Sequence, residues 1–399
     1  MAPVGLAVNP IGESRETGPG ISYRAWREPF QGEDTEAAAF ARATMKARII
    51  HSMRSVVSII ARGGVFASFY LPAALQWVAA NGPQATPSIN APASTPAHEI
   101  QTLAWFTLSI TGGIFFVVGG LLTYAVVKYR AKAGDPPSEP AQIYGSTQIE
   151  LAWTVIPILI VLVLFLTTAR LIFAIQDAPE PESALDVTVI GHQFWWEFRY
   201  PKLGIVTANE LHVPLSSTKD PQPTFLSLLS ADVDHSFWVP QLAGKTDLIP
   251  NHPNTTWMDP LRPGMYVGQC AQFCGAEHAL MLLRVYVDTP DQFSAWVKNQ
   301  QQPAANDPRV EAGRRVFETE ACMNCHAIRG TAATGKFGPD LTHLMSRQTL
   351  AAGAAPNTAE NLKAWIKDPA TFKPGCLMPA MQLSDEQVDQ LTDYLSTLR

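Results

Sequence analysis

The longest apolar runs of the chain are residues 103–127 and 151–175. Each exceeds the roughly 20 mostly apolar residues that an α-helix needs to cross a bilayer. The pattern therefore predicts a transmembrane helical hairpin over residues 100–177, in contact with lipid. The alternative, a pair of buried helices in a soluble core, is disfavoured by the length of both runs.

Charges beside the two runs predict the orientation of this hairpin. The loop after the first run is basic, with Lys128, Arg130 and Lys132. The opposite flanks are acidic, at Glu99, Asp177, Glu180 and Glu182. Because loops rich in Lys and Arg stay in the cytoplasm, we expect everything after Asp177 to lie on the outer face of the membrane.

The N-terminal region has no sustained hydrophobic period before Met45. Residues 1–44 are expected to be disordered, or to precede the true start of the protein. A basic segment, an apolar stretch and small residues up to Ala80 then predict an export signal over residues 45–80. The alternative is an uncleaved third membrane helix, although Arg62 and Pro72 interrupt its apolar run. Residues 81–99 are predicted to be a linker.

After Pro181 the hydrophobic period shortens to two. Residues 185–190, 194–200, 264–269 and 280–287 are rich in aromatic and β-branched side chains and are bounded by turn residues. They predict an all-β sandwich or barrel over residues 178–302. Thr289 followed by Pro290 predicts a helix that closes this domain and runs to about Gln302.

The C-terminal part of the chain, residues 307–399, has a helical pattern. Helices are predicted from Asp307 to Phe317, after the cap Thr358, and after the capping box of Ser384 and Gln387. The fold class is thus a multidomain membrane protein with a two-helix transmembrane hairpin, an all-β domain and an all-α domain. Residues 303–306 are predicted to link the last two domains.

Composition agrees with this organisation. A chain of 399 residues is expected to form two or three domains, and 47% apolar against 16% charged residues is unusually oily for a soluble enzyme. The net charge of -6 argues against nucleic acid as a partner. The five cysteines form two close pairs and leave Cys376 over, which favours metal or cofactor chemistry over a disulfide framework.

The first cysteine pair belongs to a run of potential metal ligands. Cys270, Cys274, His278 and Met281 fall within twelve residues, and thiolate, imidazole and thioether donors suit copper. The second imidazole is predicted to be His235, because a fold can bring one histidine from a strand end to a loop. The alternatives are a surface disulfide for the two cysteines and a core position for Met281.

The second cysteine pair is followed directly by a histidine. Cys322, Cys325 and His326 form the Cys-x2-Cys-His pattern of covalent c-type haem attachment, with His326 as the proximal ligand. A zinc site is the alternative, but it needs further paired Cys or His residues. Met378 is the predicted sixth ligand, and Met381 is its rival. Cys376 has no assigned role.

Residues 98–300 resemble subunit II of the haem-copper cytochrome c oxidases. The resemblance is carried by residues 191–196, 232–240, 245–250 and 270–281. It implies a cupredoxin domain with a dinuclear copper A centre of two copper ions, bridged by Cys270 and Cys274. It further implies one ligand to each copper from His235 and His278, a weak axial ligand in Met281, and a ligand in the backbone carbonyl of Gln272.

The sequence departs from this family in two places and matches it in a third. Gln272 stands where many members have Glu, and a neutral amide is a poorer partner for the magnesium ion at the subunit I boundary. Phe194 stands where many members begin an electron-accepting aromatic patch with Trp, but Trp195 and Trp196 remain. Glu150 matches the acid at the mouth of the family's proton path. A solvated helix start is the alternative interpretation of Glu150.

Residues 307–399 resemble the cytochrome c family, so the whole chain resembles subunit II of a bacterial caa-type oxidase. Such a subunit takes electrons from an external donor to a covalent haem c, then to copper A, then to the haem-copper site of subunit I, where dioxygen is reduced and protons are translocated. The resemblance implies subunit I and subunit III as partners and the bacterial inner membrane as the location. The alternatives are a subunit of a copper-containing nitric oxide reductase and a membrane-tethered electron carrier or copper chaperone.

Overall fold

A computed structural model describes residues 87–130, 134, 139, 142 and 145–399 of the chain. The segment predicted to be disordered, the predicted export signal and Lys132 lie outside the described residues.

The predicted membrane hairpin consists of helices α1 (Thr95–Lys128) and α2 (Thr147–Gln176). Both are long and apolar enough to cross a membrane, and their apolar side chains are exposed along most of their length. Helix α1 begins inside the segment that was expected to be a linker, because Pro at its first turn favours a helix start. The hairpin prediction is confirmed by these two helices.

Hydrogen bonds attach both helices to the β domain. The amide of Ala93 donates to the carbonyl of Gln241 at 2.7 Å, and the hydroxyl of Thr95 donates to the carboxylate of Asp259 at 2.6 Å. At the C-terminal end of α2, the indole N–H of Trp257 donates to the carbonyl of Ile175 at 2.9 Å. The β domain is therefore anchored directly at the ends of the helices.

The β domain is a sandwich of two five-stranded sheets. The strands are β1 (Leu185–His192), β2 (Trp195–Tyr200), β3 (Ile205–Ala208), β4 (Glu210–Pro214), β5 (Thr224–Ser230), β6 (His235–Trp238), β7 (Thr246–Leu248), β8 (Asn254–Met258), β9 (Gly264–Cys270) and β10 (Leu282–Asp288). The first sheet has the strand order β3-β2-β1-β5-β8 and the second has the order β4-β10-β9-β6-β7.

Alternating side chains of the two sheets form the core of the sandwich. Strand β10 alternates strictly between buried and half-buried residues, and its antiparallel register places Val285 opposite Tyr266 of β9. Pairs β1–β5 and β4–β10 are parallel, whereas the other neighbours within the two sheets are antiparallel. Helix α3 (Pro290–Gln300) follows β10 and begins with a capping box of Thr289 and Gln292.

The C-terminal domain is helical, as predicted. Its α-helices are α4 (Glu311–Thr319), α5 (Cys322–Cys325), α6 (Ala359–Lys367) and α7 (Asp385–Leu395), joined by short 3-10 turns and a two-residue strand pair, β11 (Thr349–Leu350) and β12 (Ala355–Pro356). Ser384 and Gln387 form the predicted capping box. Helices α4 and α7 cross where Gly313 meets the backbone of Gln390, and a Cβ there would lie 1.9 Å from that carbonyl oxygen.

Hydrogen bonds attach the segment between the β domain and the helical domain to the helical domain, and a further bond joins the two domains directly. The imidazole Nε2 of His343 lies 3.1 Å from the carbonyl of Gln302, and the amide of Ala304 donates to the carbonyl of Arg329 at 3.0 Å. The guanidinium of Arg329 also donates to the carbonyl of Gly204 on the β domain at 3.0 Å. The two domains are therefore in direct contact.

Candidate functional site

The backbone of the second sheet assembles the predicted copper donors. Strand β9 ends at Cys270 and β10 begins at Leu282, so residues 271–281 form the loop between two paired strands. The amide of Cys270 donates to the carbonyl of Met281 at 2.9 Å and closes this loop. Strand β6 pairs with β9 and begins at His235, which places the distant histidine beside Cys270.

The donor atoms converge without forming a disulfide. The two Sγ atoms of Cys270 and Cys274 are 3.9 Å apart, far beyond the roughly 2.05 Å of an S–S bond. Nδ1 of His235 lies 3.9 Å from Sγ of Cys270, and Nδ1 of His278 lies 3.7 Å from Sγ of Cys274. Sδ of Met281 lies 3.8 Å from Sγ of Cys274. The disulfide alternative is therefore wrong.

The remaining donor is a backbone carbonyl. The carbonyl oxygen of Gln272 lies 3.1 Å from Sγ of Cys270, while the Gln272 side chain is exposed. His235, both cysteines and Met281 are buried, and His235, Cys270 and Cys274 can offer their ligand atoms within 4.8 Å of one another. Buried soft donors at this spacing fit copper better than a hard cation.

Neighbouring groups orient the imidazole of His235. Its Nε2 lies 2.7 Å from the carboxylate of Asp232, which leaves Nδ1 facing Cys270. Burial opposes the charged imidazolium, but Asp232 and Cys270 outweigh it and raise the pKa of His235. A Cβ on Gly191 would lie 2.8 Å from the ring. The ring thus packs against the Gly191 backbone, and the Asp232 bond orients it in the way that carboxylates orient metal-binding histidines.

The pKa of the Cys270 thiol is lowered to about 3, first by a hydrogen bond with Cys274 and then by His235 and backbone amides. The pKa of Cys274 is raised because its neighbour takes the negative charge. Thiolate is the form that binds a metal. The site therefore favours deprotonation of one sulfur even before any ion neutralises the pair.

A cavity lined mostly by the helical domain contains the second set of predicted residues. Cys322, Cys325 and His326 line one side, and both candidate methionines, Met378 and Met381, line it as well. Its apolar walls include Phe317, Leu341, Leu344, Leu350, Leu362, Ile366, Leu391 and Leu395. An apolar cavity with two thiols and an imidazole fits a covalently attached haem.

The imidazole of His326 is oriented for a ligand role. Its Nδ1 donates to the carbonyl of Pro339 at 2.8 Å, so Nε2 keeps a free lone pair. Burial lowers the pKa of His326 and so favours the neutral ring, the form that binds iron. Gly338 packs against this ring, and a Cβ there would lie 2.6 Å from Cε1.

Comparisons with known proteins match the helical hairpin, the β domain and the C-terminal helical domain. Family models match at residues 84–171 (cytochrome c oxidase subunit II, transmembrane domain), 221–287 (its periplasmic domain) and 310–399 (cytochrome c). Cytochrome c oxidase subunit 2 of Alkalihalophilus pseudofirmus is 36% identical over 293 residues, which cover 72% of this chain and 81% of that protein. The chain belongs to the cytochrome c oxidase subunit II family.

Further relatives extend this result. Cytochrome c oxidase subunit 2 of Bacillus sp. PS3 is 35% identical and aligns with 68% of this chain and 80% of its own length. The subunit of Bacillus subtilis is 31% identical and aligns with 76% of this chain and 90% of its own length. The predicted family is thus confirmed, and the chain is a subunit II of a haem-copper oxidase with a cytochrome c domain at its C-terminal end.

The predicted electron-accepting tryptophans of this subunit II lie in different places. Trp195 lines the cavity of the cytochrome domain together with Phe194 and Gln193. Trp196 is fully buried, with its ring 6.1 Å from that of His235. Trp196 therefore lies in the core of the sandwich rather than on its surface, because β2 directs alternate side chains inward.

Glu150 lies in the first turn of α2 and is exposed. A Cβ on Gly145 would lie 2.5 Å from its carboxylate oxygen. Glu150 therefore lies at the loop end of the hairpin, as the sequence predicts. Its role in proton entry stays a prediction.

Charged residues join the cytochrome domain of subunit II to its cupredoxin domain. The buried carboxylate of Glu210 accepts hydrogen bonds from the amides of Gln348 and Thr349 and from the Thr349 hydroxyl, the last two at 2.9 Å. The ammonium of Lys373 donates to the carbonyls of Phe194 and Leu280. Neither residue was singled out from the sequence, because each has its partners more than ninety positions away.

Proposed function

We propose that this subunit accepts electrons at a haem c in residues 307–399 and delivers them through a dinuclear copper A centre in residues 178–302 to the haem-copper site of subunit I. Haem c and copper A, when bound, would each carry one electron at a time. Dioxygen reduction in subunit I is coupled to proton translocation in this proposal. Cys322 and Cys325 would attach the haem, and His326 and Met378 would bind its iron.

The copper ligands in this proposal are six. Cys270 and Cys274 would hold the copper pair together with His235 and His278, and Met281 and the Gln272 carbonyl would be weaker donors. The convergence of these donors at separations of 3.1–3.9 Å supports the assignment. The exposed amide of Gln272 offers no carboxylate, so magnesium is not part of the proposal.

One observation carries the electron route. Phe194 and Trp195 line the haem cavity, and the adjacent Gln193 side chain donates to the carbonyl of Cys274 at 2.6 Å. Only a short stretch of packed protein therefore separates the cavity from a copper ligand. We propose Trp195 as the residue that faces the haem, with the buried Trp196 packing behind it on His235.

The experiment that tests the route uses the tagged oxidase purified from its native membranes in mild detergent. After rapid reduction of the haem, absorbance is followed at the haem band and at the near-infrared copper band. We expect haem oxidation to match copper reduction, with uptake of dioxygen and a co-purified subunit I. Nitric oxide consumption would move the function to a nitric oxide reductase, and the absence of both activities would leave a tethered carrier.

A pair of histidine variants sharpens this test. H278Q removes a proposed copper ligand, so we expect the haem to stay reduced and the near-infrared band to disappear. H252Q changes an exposed histidine outside the site and should behave as the unmodified oxidase. Copper reduction that persists in H278Q at the normal rate would contradict the ligand assignment.

We propose further that Glu150 lies at the cytoplasmic mouth of a proton path into subunit I. E150Q should then slow steady-state turnover while copper reduction keeps its rate, because only proton delivery is impaired. E139Q changes an acid in the same loop and serves as the control. Equal slowing of copper reduction and turnover would contradict this role.

The proposed orientation places the loop between α1 and α2 in the cytoplasm of a bacterium and the two redox domains outside. The basic residues Lys128 and Arg130 at the end of α1 support it. Protease added to intact spheroplasts should cleave the redox domains and leave the loop protected. Subunit III and an external electron donor complete the proposed partners.

A further inference from the structure

Lys373 is a buried cation that reaches from the cytochrome domain to the cupredoxin domain. Its side chain is 3% exposed and belongs to the loop that carries Met378. Nζ lies 2.8 Å from the carbonyl oxygen of Phe194 and 2.9 Å from that of Leu280. Burying a charge is costly unless hydrogen bonds replace its water, so these two carbonyls determine where the ammonium can sit.

Both carbonyls belong to segments that either contain a proposed copper donor or make a hydrogen bond to one. Leu280 directly precedes Met281 in the copper loop. Phe194 follows Gln193, whose side chain donates to the Cys274 carbonyl at 2.6 Å. Lys373 also lines the haem cavity. A single side chain therefore touches the surroundings of both redox centres.

The ammonium stays charged at neutral pH. Burial lowers the pKa of Lys373 to about 8, while the charges of Glu277, Cys376 and Cys274 act in the opposite direction. Most of the residue is still protonated at pH 7. Its charge thus lies in a poorly hydrated region, where electrostatic effects on neighbouring groups are stronger than in water.

We propose that Lys373 is a positioning residue for electron transfer from haem c to copper A. It holds the loop that carries Met378 against the segments that contain Phe194 and Leu280, and its charge makes the copper pair a better electron acceptor. The inference rests on the proposed function. In the step concerned, the haem loses one electron and the copper pair gains it, with no bond or proton exchanged. Reduction adds negative charge to the copper pair, and a nearby buried cation stabilises that charge.

The test is K373M in the complete oxidase complex, which removes the charge and keeps most of the length of the side chain. We expect the copper A electron paramagnetic resonance spectrum to remain, the copper midpoint potential to fall, and the haem-to-copper step to slow on the order of tenfold. K373R keeps the charge and should retain a midpoint potential near that of the unmodified oxidase.

Glu210 provides the control for a purely structural role. It contributes a second charged contact between the same domains, through the amides of Gln348 and Thr349. E210Q removes a negative charge, so it can loosen docking but cannot lower the copper potential by electrostatics. If Lys373 only held the domains together, K373M would slow the step as E210Q does and would leave the copper potential unshifted.

An unshifted copper potential in K373M, or an unslowed haem-to-copper step, would overturn the inference. If the K373M chain does not assemble with both centres, K373Q repeats the test, since Gln is neutral but can donate to one carbonyl. Failure of the proposed function looks different: the unmodified oxidase would then lack haem-to-copper transfer altogether.

Discussion

The copper region and the haem region of this subunit hold their candidate ligands in different ways. Cys270 and Met281 are joined by a backbone hydrogen bond across paired strands, and the amide of Ala271 donates to the carbonyl of Ser236 beside His235 at 3.0 Å. In contrast, Met378 lies on an irregular loop, and the helix that carries Cys322 and Cys325 is a single turn.

The apolar cores of the sandwich and of the cytochrome domain also differ in how completely they are filled by side chains. Buried side chains of the sandwich, such as Trp196, Phe198 and Leu228, pack against one another between the sheets. Many buried residues of the cytochrome domain, including Phe317 and Leu391, instead line its cavity. The fold of the sandwich therefore brings the candidate copper ligands together by itself, whereas the cytochrome domain leaves a cavity in its core that the proposed haem would fill.

The largest expected effect follows from removing the haem. A variant with both C322A and C325A should lose the covalent attachment, and the unfilled cavity should destabilise the cytochrome domain by several kcal/mol. Hydrogen exchange should show loss of amide protection in α4 and α7, with β9 and β10 still protected. Unchanged protection in α7 would contradict the comparison.

The matching experiment at the copper region is C274S. It removes a proposed bridging thiolate, so the near-infrared copper band should disappear. The amides of β6, β9 and β10 should nevertheless keep their protection, because the strand pairs and apolar core remain. C376S, at a cysteine outside the copper loop, should retain the copper band. Unfolding of the sandwich in C274S would mean that the bound metal, and not the pairing of strands β6, β9 and β10, stabilises the copper region.

A smaller effect is expected at the crossing of α4 and α7. G313A places a Cβ 1.9 Å from the carbonyl oxygen of Gln390, and overpacking of this kind costs about 1–3 kcal/mol. The denaturant midpoint for loss of the haem circular dichroism should fall. R315A, at an exposed position of the same helix, should leave it unchanged, and a G313A midpoint equal to that of the unmodified protein would show that the helices can separate freely.

The smallest effect concerns acid stability of the sandwich. Burial raises the pKa of Glu197, but hydrogen bonds from His192 and Arg199 outweigh burial and lower it below the usual 4.5. The stabilisation is present above pH 4.5 and is lost as pH falls through the lower folded-state pKa. E197Q should remove on the order of 1 kcal/mol at pH 7 and flatten this acid dependence of the free energy of unfolding. An equally steep acid dependence in E197Q would exclude Glu197 as its source.

Local patterns were enough to predict much of this molecule. The two apolar runs predicted α1 and α2, and the capping residues predicted α3, α6 and α7. The strands of the copper hairpin, β9 and β10, followed from their alternation. Strands β3 to β8 were not predicted from periodicity, because several are short or carry polar residues whose partners lie on other strands.

The sequence alone also predicted the chemical type of both candidate sites, since ligand type and close spacing are local properties. Cys270 to Met281 and Cys322 to His326 are each readable within one loop or turn. Only the tertiary structure decided that His235 lies beside Cys270, that Trp196 is buried while Trp195 borders the haem cavity, and that Lys373 crosses to the copper loops. These relations join residues far apart in the chain, and the physical reason is that strand pairing and domain packing, not spacing, bring them together.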